Sequence, residues 1–122
     1  MAHSPAFLAL IDSVSAHVHE VNVPTARERL SNPAVHIVDV REDTEWTAGH
    51  IAGAVHIGKG VIERDIEAKI PDKDAAIILY CGGGFRSVLA ADAVQKMGYT
   101  NVASMAGGWR EWTAAGAPVE RP

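Results

Sequence analysis

An unbroken apolar run, Ala75-Ala76-Ile77-Ile78-Leu79-Tyr80, leads into the single cysteine of the chain, Cys81, and Gly82-Gly83-Gly84 follow at once. A run this short and continuous, closed by glycine, describes a strand buried on both faces. Beyond the glycines, Leu89, Ala90, Ala93, Val94 and Met97 recur at three- and four-residue spacing, the pattern of a helix with one buried side. Strand, glycine turn and helix in that order place Cys81 at the carboxyl end of a core strand, where open parallel sheets bind ligands. Three consecutive glycines lose much backbone entropy on ordering. That loss makes sense where N–H groups must crowd around one atom with no side chains in the way. Converging N–H donors beside a helix N-terminus favour a thiolate over a thiol. The pattern describes a nucleophile's seat; the bland alternative is a small buried hydrophobe.

The flanking sequence alternates short strands with helices. Ser4-Pro5 is a helix start, and Phe7, Ile11, Val14 and Val18 recur on one face, predicting a helix to about His19. Val21-Asn22-Val23-Pro24 reads as extended, because the residue before proline is pushed out of helix. A short helix is expected over 25–30, a turn at Asn32-Pro33 and a buried strand over 35–40. A helical turn over 42–48 stops at Gly49. A strand over 54–57, a helix over 61–70, a strand over 101–105 and a helix over 109–115 complete the pattern, with Gly107-Gly108 as a tight turn. Alternation of this kind predicts an α/β fold with a mostly parallel central sheet and helices on both faces.

With 122 residues and 48% hydrophobic content the chain supports one domain with one real core. Its net charge of −4 and lack of a lysine- or arginine-rich run exclude nucleic acid and anionic membrane as expected partners. No stretch approaches the roughly 18 apolar residues of a membrane span. The N-terminus lacks a basic region before its apolar residues, which Asp12 interrupts, so no secretory signal is expected. One cysteine permits no internal disulfide, which fits a reducing, cytoplasmic setting. His17 and His19 lie two apart on a predicted helix and do not share a face. Neither a metal nor a cofactor is called for.

Three stretches carry a family resemblance. The first is Ile37-Val38-Asp39-Val40-Arg41-Glu42, followed by Glu45-Trp46 and Gly49-His50-Ile51-Ala52-Gly53-Ala54. The second is Cys81-Gly82-Gly83-Gly84-Phe85-Arg86-Ser87. The third is Met105-Ala106-Gly107-Gly108-Trp109-Arg110-Glu111-Trp112, with Gly116-Ala117-Pro118-Val119 behind it. Together they resemble the rhodanese family, sulfurtransferases that carry sulfur as a cysteine persulfide. The resemblance implies a three-layer rhodanese-like domain over 21–122, preceded by an N-terminal helical extension over 1–20.

It also implies a reaction. Sulfane sulfur would pass from a small anionic donor such as thiosulfate to cyanide, a thiol or a protein sulfur carrier, with Cys81 as nucleophile and carrier. N–H groups from Gly82, Gly83, Gly84, Phe85, Arg86 and Ser87 would stabilise the thiolate and then the persulfide's terminal sulfur. Arg86 would stabilise the loop or draw in the donor's charge, and Ser87 is expected to cap the helix. Asp39 and Arg41 would brace the loop, His50 would be structural, and Trp109 and Trp112 belong to the core. Two other functions stay open. Phosphatases of the cell-cycle type share the implied fold, but their loop holds five residues between cysteine and arginine, where this one holds four. A tetrahedral oxyanion needs the wider ring. Some rhodanese-like domains are non-catalytic interaction modules that have lost the cysteine, which this chain keeps. Gly82 and Gly83 supply no cation and Glu42 and Glu45 are expected near the mouth, so thiosulfate itself should bind weakly.

Overall fold

The computed structural model describes residues 3–121. Its elements run in chain order as α1 (Pro5–Ser15), β1 (His19–Val21), α2 (Val23–Arg29), β2 (Val35–Asp39), α3 (Asp43–Ala48), β3 (His50–Ile51) and β4 (Val55–His56). After a 3-10 turn at Lys59–Val61 come α4 (Ile62–Lys69), β5 (Ala76–Tyr80), α5 (Arg86–Lys96), β6 (Val102–Met105), α6 (Gly108–Ala114) and β7 (Val119–Glu120). Five strands form one sheet in the order β1-β6-β5-β2-β4, and every pairing in it is parallel. The expected α/β architecture is present.

Strand parity divides the core. Side chains alternate across a sheet, so Ile77, Leu79 and Cys81 join Val38, Val40 and Val102 on one face, under α1, α4 and α5. Ile78 and Tyr80 go to the other face with Ile37, Ala103 and Met105, under α2 and α6. The central strands are covered on both sides, which is why they read as continuous apolar runs. Parity thus points the sulfur toward α1 and the start of α5.

Two expectations near the N-terminus are corrected. The first helix ends at Ser15 rather than near His19, and His19–Val21 instead pairs with Ala103, Ser104 and Met105 as an edge strand. Neither His17 nor His19 is therefore helical. Val23 is not extended but opens α2: the Asn22 side chain accepts from the Thr25 N–H at 2.9 Å, and Pro24 sits in the first turn. There its missing N–H costs nothing, which overrides the usual restriction on the preceding residue. Helix α1 packs on α5 of its own domain, through Ile11 and the partly buried Phe7 and Val14. A second, two-stranded antiparallel sheet of β3 and β7 had no counterpart in the sequence reading.

Candidate active site

Cys81 follows β5 directly and is 1% exposed, yet it lines a cleft of about 1030 Å³. The loop after it shapes a cup. The Gly84 N–H donates to Cys81 Sγ at 3.2 Å and the Ser87 N–H at 3.4 Å. The Ser87 hydroxyl lies 3.5 Å from the sulfur and 2.7 Å from the hydroxyl of the fully buried Ser104. Ser104 stands opposite Leu79 in the parallel register, so it shares the face of Leu79 and Cys81.

The loop's carbonyls turn the other way. Trp109 N–H donates to the Cys81 carbonyl at 2.7 Å and Arg110 N–H to the Gly82 carbonyl at 3.1 Å. These are free N–H groups of the first turn of α6, which have no partner inside their own helix. Helix α6 thereby satisfies the carbonyls of Cys81 and Gly82 and fixes the path of the loop around the sulfur. The approach is close: a Cβ on Gly108, whose φ is +54°, would stand 2.3 Å from the Cys81 carbonyl oxygen. Gly84 has φ +101°, and its Cβ would stand 3.1 Å from the Gly107 nitrogen. The glycine turn expected to approach the cysteine loop does so.

Arg86 does not point at the sulfur. Its guanidinium donates to both carboxylate oxygens of Glu45, at 2.9 and 3.1 Å, and lies over Gly82, where a Cβ would meet Nη2 at 3.1 Å. Glu45 Oε1 also accepts from the Glu42 N–H at 3.1 Å, so the carboxylate is held from two sides. The hydrogen bonds from Arg86 hold the Glu45 carboxyl below its usual range, and the Arg86 pKa is correspondingly raised. Of the two roles expected for Arg86, this geometry suits loop bracing. Its charge is already matched. Glu42, expected at the mouth, is spent at the start of α3.

The other residues singled out from the sequence fall as follows. Gly82 and Gly83 line the cleft with Phe85 and Trp109, so Trp109 faces the site as well as the core, whereas Trp112 is fully buried. Ser87 is not the helix cap: α5 begins at Arg86 and Phe85 occupies the cap position. Ser87 sits one turn-position further in, aimed at the sulfur. Asp39 and Arg41 form a buried pair, with Arg41 Nη2 at 2.8 Å from Asp39 Oδ2. The same Oδ2 accepts from the Tyr80 hydroxyl at 2.5 Å, and that hydroxyl accepts from the Ile51 N–H at 3.0 Å. Burial and the neighbouring Asp39 charge push the Tyr80 pKa up, so the phenol stays protonated and donating. Arg41 also donates to the Gly49 carbonyl at 2.6 Å and lies 4.6 Å over the Trp109 ring. This network reaches the cysteine loop through Tyr80 and Trp109 rather than by direct contact. His50 donates from Nδ1 to the Trp46 carbonyl at 3.0 Å and stacks on the Trp46 ring.

The Rhodanese-like domain family model matches residues 22–115. The chain belongs to the rhodanese-like domain family. Among similar proteins, the thiosulfate sulfurtransferase GlpE of Pseudomonas fluorescens is 34% identical over 89 residues, covering 73% of this chain and 80% of that protein. The putative sulfur carrier protein YrkF of Bacillus subtilis is 31% identical over 100 residues, covering 81% of this chain but only 53% of its own length. A solved structure from Rhodopseudomonas palustris, described as a protein of unknown function and possible tyrosine phosphatase, superposes with a TM-score of 0.87 at 28% identity and covers 98% of both chains. The two curated relatives are named for sulfur transfer and sulfur carriage, which supports sulfur transfer in general terms.

The rhodanese-like site also holds residues that sequence reasoning passed over: Ser104 and Tyr80 through their hydrogen bonds, and Arg110, His3 and Phe7 of α1 in the cleft lining. A buried serine between Ala103 and Met105 was the one available signal for Ser104. Among the described residues no helix is long and apolar enough to cross a membrane.

Proposed function

We propose that this protein is a sulfurtransferase that moves sulfane sulfur from a donor such as thiosulfate to a thiophilic acceptor through a persulfide on Cys81. The observation that supports it most is the sulfur of Cys81 at a cleft floor, receiving the N–H groups of Gly84 and Ser87. The Cys81 thiolate attacks the outer sulfur of the donor. The donor's S–S bond breaks, its electron pair leaves with sulfite when thiosulfate is the donor, and a Cys81 S–S bond forms. Cyanide or a thiolate then attacks the terminal sulfur and Cys81 leaves as thiolate. Charge is conserved in both steps, and no oxidant or reductant is consumed.

The persulfide's outer sulfur sits about 2 Å beyond Sγ. The loop N–H groups, fixed in orientation before the reaction, lower the cost of negative charge there without reorganising. Cys81 is the nucleophile and carrier; Gly82, Gly83, Gly84, Phe85, Arg86 and Ser87 form its seat; Asp39 and Arg41 support it from below. A lone thiol that must stay reduced suits the cytoplasm.

A phosphatase reading draws on the description of the Rhodopseudomonas palustris protein. Against it stand the four-residue loop and an arginine committed to Glu45 rather than to an oxyanion. Intact-mass measurement after brief exposure to thiosulfate, then to cyanide, tests the proposal. The expected result is gain and loss of one sulfur atom, abolished in Cys81→Ser. Aryl phosphate hydrolysis without sulfur uptake would overturn it, and no uptake from any donor would favour an interaction module.

A further inference from the structure

The cleft is much larger than an inorganic donor requires. At about 1030 Å³ it lies at the upper end of cavities that take small organic molecules, roughly 300–1,000 Å³. Thiosulfate has only five heavy atoms. The lining is also mixed. It combines Arg110 and Trp109 with an aromatic group: His3 just ahead of α1, Phe7 of α1 and Phe85 from the loop.

The aromatic group is built, not incidental. His3 and Phe85 rings meet edge to face at 4.8 Å between centroids, His3 and Phe7 at 5.1 Å, and Phe7 and Phe85 edge to face at 6.2 Å. Contacts of this kind favour a fixed orientation of the rings. His3 and Phe7 lie outside the residues matched by the family model; His3 stands just ahead of α1 and Phe7 in its first turn.

The charge balance is equally specific. Glu45 matches Arg86 through two hydrogen bonds. Arg110 makes no ion pair among the described residues and reaches to within 4.0 Å of a Cβ placed on Gly83. Arg110 is therefore the cleft's net cation, at the rim of the cysteine loop. One net positive charge beside an apolar wall suits a monoanion with an organic body better than a compact, strongly hydrated dianion.

We propose that His3, Phe7 and Phe85, together with Arg110, select the sulfur donor, and that the donor is an organic sulfane-sulfur compound with one anionic group and an apolar body. This rests on the sulfurtransferase reading above and deepens it. With an organic thiosulfonate, the Cys81 thiolate attacks the outer sulfur, the donor's S–S bond breaks, and its electron pair leaves with the organic sulfinate. Cys81 is left as the persulfide anion, so charge and electrons balance as they do with thiosulfate.

Steady-state kinetics with benzenethiosulfonate, methanethiosulfonate and thiosulfate test it, with cyanide as acceptor. The first two have the same charge and the same outer sulfur and differ in the apolar body. The expected kcat/KM is at least tenfold higher for benzenethiosulfonate than for methanethiosulfonate, and lowest for thiosulfate. In Phe7→Ala the ratio between the two thiosulfonates falls about tenfold; in Phe7→Leu, which keeps an apolar side chain on the helix, it falls about threefold. Because a ratio is read within one variant, partial unfolding does not mimic the result. Arg110→Gln raises KM for both thiosulfonates about tenfold with kcat little changed. Equal kcat/KM for the two thiosulfonates in the unaltered protein, or a ratio unmoved by Phe7→Ala, overturns the inference while sulfur transfer itself stands. A protein that takes sulfur from none of the three overturns both.

Discussion

Replacing Gly108 by alanine should disable the site without touching a residue that contacts the sulfur. A Cβ there would lie 2.3 Å from the Cys81 carbonyl oxygen and 2.9 Å from the Gly82 carbonyl carbon and oxygen. A carbon–oxygen contact needs about 3.3 Å, so helix and loop must separate by roughly 1 Å. The backbone at φ +54° adds about 1–2 kcal/mol for an L residue. The bonds from Trp109 and Arg110 to the loop carbonyls weaken together, at about 1 kcal/mol each. The expected destabilisation is about 2–4 kcal/mol, read by urea denaturation. A 1 Å misplacement at a reacting centre costs about 100-fold, so kcat/KM for sulfur transfer should fall by that order in the folded fraction. Gly107→Ala is the matched control. Its φ is +81°, but the three nearest atoms to its Cβ would all belong to the Glu111 side chain, from Cγ to Oε2, which can swing aside. It should cost about 1–2 kcal/mol and leave the rate within about threefold. Gly108→Ala with near-normal sulfur transfer, or Gly107→Ala equally crippled, would refute the claim that α6 orients the loop.

Ser104→Ala removes the partner of the Ser87 hydroxyl and should lower kcat about three- to tenfold, the worth of about 1 kcal/mol, with little change in donor KM. Tyr80→Phe leaves a buried carboxylate oxygen of Asp39 and the Ile51 N–H without this hydroxyl, at a cost of about 1–3 kcal/mol, visible as a lower thermal midpoint. Glu45 is the pH-dependent member. Its folded pKa lies below the ordinary 4.5 because of Arg86, so the pair's stabilisation is fully present above that value and is lost as pH falls through the folded pKa. Because the carboxylate is 37% exposed, the benefit over Glu45→Gln should not exceed about 1 kcal/mol. The two melting temperatures should differ near neutrality and converge in acid; a gap that widens toward low pH would contradict the assignment.

Much of this site was legible because its signals are local. The run into Cys81 reads as a doubly buried strand because β5 is central and covered on both faces, and the three glycines mark the loop that closes on the sulfur. What escaped was set by partners distant in sequence. The two-residue strands β3 and β7 are too short for any period, and they pair across the length of the domain. The destination of Arg86 is decided by Glu45, which arrives from α3. Ser104 looks like an ordinary strand residue until the parallel register sets it beside Leu79. Val18 continued the apolar spacing of α1 and carried the expected helix to His19, whereas pairing with the edge of β6 makes His19–Val21 a strand. Ser87 read as a cap because serine favours that place, but the sulfur and Ser104 compete for its hydroxyl and the chain enters the helix earlier.

The nearly buried sulfur of Cys81 meets solvent through the cleft that it lines with the Glu45–Arg86 clamp. Under the proposed sulfur transfer, incoming and outgoing molecules share that opening, so the spent donor vacates it before an acceptor takes the load. Turnover should then follow a ping-pong order, with parallel double-reciprocal lines, and a macromolecular recipient would have to thread a slender tail into the opening rather than press a broad surface against it.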